Sequence, residues 1–142
     1  MTLREVEDGD IAVLHAFEHE PGAAEMAAFP ARDRDAFEAH WARVRADETC
    51  VARTIVVDGE VAGNIGSFIR DDAREVGYWV GRDYWGRGVA TAALALFLEA
   101  VEPRRPLGAG VALGNEGSMR VLEKCGFRRV GEDGGYVLFE LA

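Results

Sequence analysis

Cysteine and histidine are scarce in this sequence, with two of the first, Cys50 and Cys125, and three of the second. The cysteines are not closely spaced and have no His/Cys cluster around them, whereas a structural zinc site takes four such ligands. No metal site and no disulfide framework are expected; two reduced, buried thiols are. Positive charge is also in deficit: 16 Lys and Arg against 25 Asp and Glu leave a formal net charge of -9. Nucleic-acid binding draws most of its affinity from a basic surface, so DNA and RNA are not expected partners. An acidic balance suits a cationic or amine partner instead. Long apolar runs are missing too. The longest, within residues 89–101, is too short and too alanine-rich to span a bilayer. The stretch "MTLREVEDGD" has no apolar signal core. The expectation is a cytoplasmic protein with no membrane partner. Repeats, low-complexity segments and linkers are absent, so residues 1–142 are expected to form a single domain.

What is present is ordinary for a soluble globular chain: 49% apolar and 29% charged residues. A chain of this length buries roughly two-thirds of its unfolded surface, enough for a core and one concave site. "TLREV" reads as a first strand, and Asp10 is placed to cap a helix carrying Ile11, Leu14 and Phe17. "EHEPGAAEMAAFP" is a breaker-rich connector. "RDRDAFEAHWARVRAD" sets Phe37, Trp41 and Val44 at helical spacing. "CVARTIVV" and "VAGNIGSFI" flank the turn "DGE" as a hairpin. "REVGYWV" is a third strand in succession, with Val76, Tyr78 and Val80 on one face and Glu75, Gly77 and Trp79 on the other.

A helix follows at about residues 88–102, with few polar positions, namely Thr91, Glu99 and Glu102. Such a helix is expected to be covered on most sides. "LGAGVAL" is a strand, and "NEGSMRVLEKCG" a helix from Asn115 to Gly126. "FRRVGED" and "GYVLFEL" end the chain as two more strands. The order points to a mixed α/β fold, with a sheet of about six to seven strands flanked by about four helices; successive hairpins argue against an all-parallel sheet.

The turn "WGRGVAT" opens the apolar helix with no acidic residue in its first turn. Helix starts favour Asp or Glu there, so something else is expected to supply the negative charge. Glycines let a backbone approach an anion closely, and the first amides of a helix lack intrahelical partners. Together these features describe a phosphate cradle, with Arg87 adding charge. A glycine turn that only lets a helix pack tightly on a sheet fits the same residues. A P-loop is excluded because Val89 and Ala90, not Lys and Ser/Thr, follow Gly88. The dinucleotide fingerprint fails at Thr91, where a third Gly or Ala is needed.

The order of elements, the strand–loop–"WGRGVAT"–helix unit and the later "NEGSMRVLEKCGF" resemble the GNAT superfamily of acetyl-CoA-dependent N-acetyltransferases, and within it the ribosomal-protein N-terminal acetyltransferase branch. The resemblance implies a strongly twisted mixed sheet and acetyl-CoA as cosubstrate. It places the cofactor's pyrophosphate on the amides of Gly86, Arg87, Gly88, Val89, Ala90 and Thr91. The pantothenate arm then lies along Tyr78, Trp79 and Val80, and Asn115 contacts the cofactor. Trp85 stands where many members have Gln or Arg. Asn115 is also a good helix N-cap by itself. Arg120 and Lys124 are candidates for the 3′-phosphate or plain solvated helix charges.

The implied reaction is direct attack of a neutral primary amine, from a protein N-terminus or a small molecule, on the acetyl thioester, with a backbone N–H near Val80 polarising the carbonyl. Two family side chains are missing. Leu122 replaces the tyrosine that often protonates the thiolate, and Gly110 replaces a glutamate found in some members. Glu75 is the candidate base and Tyr78 a candidate proton donor; a carboxylate paired with Arg74 or another arginine, and a core tyrosine with a satisfied hydroxyl, are the alternatives. His15, His19, Glu18, Glu20 and Glu25 lie near the acceptor region the family implies. The alternative to an enzyme is a non-catalytic acyl-CoA-binding module or sensor, and a third reading is a site for another nucleotide. A monomer or a homodimer suits either of the first two.

Overall fold

Asp58 and Gly59 both take left-handed φ, 51° and 81°, the pair that a two-residue hairpin turn of the I′ type demands. The computed structural model, which describes residues 1–27 and 30–142, folds the first half of its sheet around this turn. In chain order the elements are β1 (Thr2–Arg4), α1 (Asp10–Glu18), α2 (Ala23–Ala27), α3 (Arg34–Ala46), β2 (Val51–Val57), β3 (Glu60–Arg70) and β4 (Ala73–Val80). A short 3-10 turn (Arg82–Tyr84) leads to α4 (Val89–Ala100), β5 (Leu107–Ala112), α5 (Glu116–Lys124), β6 (Arg128–Asp133) and β7 (Tyr136–Leu141). Positions 28 and 29 of the expected connector lie outside the described residues. The connector also holds a helix, α2, that its breakers conceal.

The seven strands form one mixed sheet in the order β1-β2-β3-β4-β5-β7-β6. Strands β1 to β4 are antiparallel throughout, as are β5–β7 and β6–β7. The single parallel junction is β4–β5, recorded at Glu75↔Gly108 alone. Beyond it the two strands diverge.

Adjacent residues on β2 show where the helices lie. The Thr54 hydroxyl is buried against Asp10 of α1, while Ile55 packs in the cluster with Leu94 and Phe97 of α4. Neighbouring side chains on a strand point to opposite faces, so α1 and α3 cover one face and α4 and α5 the other. The first layer rests on Ile11, Leu14, Phe37 and Trp41. The second is the larger core and includes Val76, Val80 and, partly buried, Tyr78, the face of β4 expected from its alternation.

Two expectations are corrected. Asp10 does not cap α1 from outside. It is the first helical residue, and Gly9 before it makes no side-chain cap. Its carboxylate instead accepts two hydrogen bonds from Arg4 (2.7 and 2.9 Å), one from Thr54 (2.7 Å) and one from the Glu7 N–H (2.8 Å). Helix α4 is not covered on most sides: Val89, Ala93, Leu94 and Phe97 are buried, but Ala92, Ala95 and Ala100 are exposed. Alanine counts as apolar yet offers little surface to bury, so the one-sided stripe is hidden in the sequence.

Past the end of α4, Glu102 is fully buried. It accepts hydrogen bonds from Ser67 and from Arg104 (2.9 and 3.1 Å), and Arg74 lies at 3.6 Å. Burial pushes this carboxyl up, and the bonds from Arg104 and Ser67 outweigh it, leaving it below the usual carboxylate range. The cluster ties β3 and β4 to the segment between α4 and β5.

Candidate active site

Strand β4 ends by turning its backbone away from β3. The Gly81 N–H donates to the Ala62 carbonyl at 2.8 Å. In an antiparallel ladder the neighbouring residue faces its N–H and C=O the other way, so those of Val80 face the diverging, unpaired side. The Val80 carbonyl there accepts a hydrogen bond from the indole Nε1 of Trp85 at 2.9 Å. This bond holds the glycine turn against the strand end.

The turn has the geometry an anion site needs. Gly86 and Gly88 take φ of 72° and 75°, and a Cβ at either would meet nothing within 4 Å. Glycine is required there by the left-handed backbone, not by space. Gly88 is the N-cap of α4 with no side-chain hydrogen bond, and the first turn holds no acid. The positive end of the helix macrodipole is left without a protein counter-charge, and such an end fits a phosphate.

Helix α5 forms the opposite wall. Asn115 caps it by accepting from the Ser118 N–H at 3.3 Å. The Tyr78 and Ser118 hydroxyls are 2.7 Å apart, and the Tyr78 hydroxyl also reaches the Ser118 carbonyl at 3.3 Å. Burial pushes the Tyr78 phenol up to about 12, against the opposing pull of the Ser118 hydrogen bond. The space between these walls is a cavity of about 590 Å³, closed on a further side by Ala23, Met26 and Ala27 of α2.

A family model described as "Acetyltransferase (GNAT) domain" matches residues 1–128. The chain belongs to this family. Among curated proteins it is similar to "Putative ribosomal N-acetyltransferase YdaF" of Bacillus subtilis (strain 168), at 33% identity over 106 residues, 68% of this chain and 57% of that protein. The match thus spans little more than half the length of that relative. Among solved structures it is similar to the ribosomal-protein-alanine N-acetyltransferase of Brucella melitensis, with TM-score 0.81 and 18% identity over 99% of both chains. It is also similar to the aminoglycoside acetyltransferase AAC(6')-Ib in complex with coenzyme A, with TM-score 0.79 and 18% identity over 98% of this chain and 92% of that one. At such identities the structural likeness is one of fold.

In this GNAT protein the residues expected to hold a cofactor are brought together, with one exception. Tyr78, Trp79, Val80, Gly86, Gly88, Val89, Ala90, Thr91 and Asn115 all line the cavity. Arg87 does not; its guanidinium lies 5.4 Å from the centroid of the Tyr84 ring. Arg120 and Lys124 line the cavity from α5.

Glu75, the candidate base, does not line the cavity. It sits at the Glu75↔Gly108 junction, with its carboxylate 3.9 Å from Arg70. The alternative of a carboxylate beside an arginine other than Arg74 is the one seen: Arg70 is its neighbour, while Arg74 turns to Ser67 and Glu102. His15 and His19 both direct Nε2 to the Arg32 carbonyl, at 3.0 and 2.7 Å, and Glu18 binds Arg32 as well. Glu20 accepts from the Arg82 N–H at 2.8 Å, linking the end of α1 to the turn after β4, and Glu25 is exposed on α2. Leu122 is fully buried, as its place on the helix's apolar stripe implies.

Two contributors escape a reading of the sequence. Ser118 has the spacing of a residue whose N–H meets the Asn115 cap, which explains it without any site. The α2 wall lies in a segment that reads as a loop.

Proposed function

We propose that this protein transfers the acetyl group of acetyl-CoA to a primary amine by direct attack on the thioester. The observation that supports this most is the wedge between β4 and β5, which opens directly onto the uncapped start of α4. An extended chain ending in a diphosphate matches both parts: Tyr78–Val80 would hold its arm and the amides of Gly86–Thr91 would hold its phosphates. The residues fit that group, because the first turn of α4 holds no acidic residue and no side-chain cap. Acetyl-CoA supplies the activated acyl group and a thiolate leaving group.

The chain's own residues account for the remaining needs. The Val80 N–H faces the wedge, where it can donate to a carbonyl oxygen. The Tyr78–Ser118 hydroxyl pair lies at the same end of β4, and a phenol pushed up to about 12 stays protonated at neutral pH. It would give its proton to the leaving thiolate, the delivery that Leu122 cannot provide, and regain one through solvent from the amine nitrogen as the amide forms.

The acceptor this cavity favours is a protein N-terminus. An α-amino group has a pKa of about 7.7–8.0, against about 10.4 for lysine. A substantial fraction is therefore neutral without a strong base, and the cavity offers few. Glu116 is the one carboxylate among its described lining residues, beside Arg120 and Lys124. A polycationic acceptor would call for more negative charge than that. The apolar wall of Ala23, Met26 and Ala27 suits a small uncharged first side chain. The names carried by the Bacillus and Brucella relatives point the same way.

The test is a calorimetric titration with acetyl-CoA, using ATP and NAD as controls, followed by a thiol-release assay with N-terminal peptides and with aminoglycosides. Selective micromolar acetyl-CoA binding, lost in Gly88→Val, together with turnover of peptides supports the proposal. Binding with no turnover of any amine would convert the reading to an acyl-CoA-binding module, which Leu122 and Gly110 favour. Tighter binding of ATP or NAD would overturn both.

A further inference from the structure

Strand β6 lies at the end of the sheet, with β7 on one flank and no strand on the other among the described residues. Its sequence is Arg128-Arg129-Val130-Gly131-Glu132-Asp133. Two cations open it and two anions close it. All but Gly131 are exposed, Val130 at 55%.

The ladder to β7 pairs Arg128 with Glu140, Arg129 with Phe139, Gly131 with Leu138, Glu132 with Val137 and Asp133 with Tyr136. Val130 is skipped, so the strand carries a bulge there. The bulge changes which side chains share a face. Phe139 and Val137 are on one face of β7, and Glu140, Leu138 and Tyr136 on the other. Arg129 and Glu132 therefore share a face, and their side chains form an ion pair. Arg128, Gly131 and Asp133 share the opposite face. Without the extra residue, Arg129 and Glu132 would point apart.

We propose that β6 pairs antiparallel with β6 of a second copy of this chain, about a two-fold axis at Gly131. In that register Arg128 of each copy falls opposite Asp133 of the other, and Arg129 opposite Glu132. Every directly opposed charged pair is attractive, the arrangement that stabilises cross-strand neighbours. The faces also match: a two-fold axis perpendicular to the sheet keeps each face on its own side, and the bulge has already put the partners on the same face. On one face Arg129 and Glu132 of both copies close into a ring of four alternating charges. Gly131 leaves the axis free of side chains.

Mixed charge and a bulge on a terminal strand ordinarily guard it against unrelated strands. Here the sign order makes the guard selective, because a second copy presents its complement. A six-residue strand is about 20 Å long and buries less than the ~800 Å² per partner of a standard interface. The dimer is accordingly weak and salt-sensitive. The β4–β5 wedge is in the middle of the sheet, so association leaves both cavities open.

Sedimentation velocity over a concentration series tests this at low and at high salt. The protein is expected to dimerise at high micromolar concentration, with a dissociation constant raised at least about tenfold by 0.5 M salt. Two reversal variants, Arg128→Glu/Arg129→Glu and Glu132→Arg/Asp133→Arg, are each expected to stay monomeric. Their equimolar mixture is expected to associate, and the chain carrying all four substitutions to dimerise like the wild type. That recovery separates loss of pairing from loss of folding, which circular dichroism checks directly. A wild-type protein that stays monomeric at low salt overturns the proposal. So do reversal variants that dimerise as well as the wild type.

Discussion

The hydroxyls of Tyr78 and Ser118 stand 2.7 Å apart across the cavity, one on the last turn-ward stretch of β4 and the other on the first turn of α5. The contact joins β4 to α5, together with the longer bond from the Tyr78 hydroxyl to the Ser118 carbonyl, and it puts two hydroxyls beside the wedge.

Removing either hydroxyl is expected to slow chemistry and spare binding. Tyr78→Phe and Ser118→Ala should each lower kcat about a hundredfold, the lower end of the range for a lost proton donor, with KM for acetyl-CoA within about twofold. The double variant should be no slower than the worse single one if the pair acts as a unit. Steady-state thiol release measures all three. Wild-type kcat in the double variant would exclude the pair from proton delivery.

Glu75→Gln is expected to leave kcat and KM within about twofold of wild type. The carboxylate lies beside Arg70 and off the cavity, so neutralising it removes a weak, partly exposed ion pair. A fall in kcat of about tenfold or more, followed across a pH profile, would restore Glu75 as the base.

Trp85 anchors the glycine turn through one hydrogen bond to the Val80 carbonyl, while the residue is 42% exposed. Trp85→Phe keeps the ring and loses the donor. A net hydrogen bond is worth about 1 kcal/mol, so acetyl-CoA affinity should fall about fivefold with kcat at saturation unchanged. Calorimetry and saturation kinetics together decide it. Equal affinity would mean the turn holds its shape unaided.

The acid sensitivity of the fold should trace to Asp10. Hydrogen bonds from Arg4, with smaller help from Glu7 and Thr54 and against the cost of burial, hold its carboxyl down to about 2. A depressed folded pKa adds stability that is complete above the unfolded value of about 3.9 and disappears as pH falls through about 2. Asp10→Asn should cost about 2 kcal/mol at pH 7, since it removes the buried carboxylate that accepts the two Arg4 hydrogen bonds. The gap between variant and wild type should then shrink from pH 4 to pH 2. Urea unfolding at stepped pH measures that gap; a constant difference would assign the acid response elsewhere.

The sequence carried the local features and lost the distant ones. The hairpin at Asp58–Gly59 and the alternation of Val76, Tyr78 and Val80 follow from neighbours in the chain, so they were legible. The bare start of α4 was legible for the same reason, because the missing acid is within one turn of Gly88. Asp10 was misjudged because its partners, Arg4 and Thr54, come from two other elements. The position of Glu75 off the cavity was not legible, because alternation fixes the face of a side chain but not its distance along the strand from the wedge. Helix α2 was hidden behind Pro21 and Gly22, and with it the apolar wall of the cavity. The Tyr78–Ser118 contact needed the fold itself, since nothing local relates the two residues.

The lone junction at Glu75↔Gly108 makes the sheet two ladders joined at one point, four strands on one side and three on the other. Between them the amides of Tyr78 and Val80, which face away from β3, have no strand among the described residues to protect them. Amide hydrogen exchange should therefore report a fast-exchanging seam running up the centre of the protein, where most sheets are slowest. A ligand arm lying in that seam would take the place of the missing ladder, so loading the site should slow exchange in both halves and raise the cooperativity of unfolding. The centre of the sheet is thus the part whose rigidity depends on what is bound.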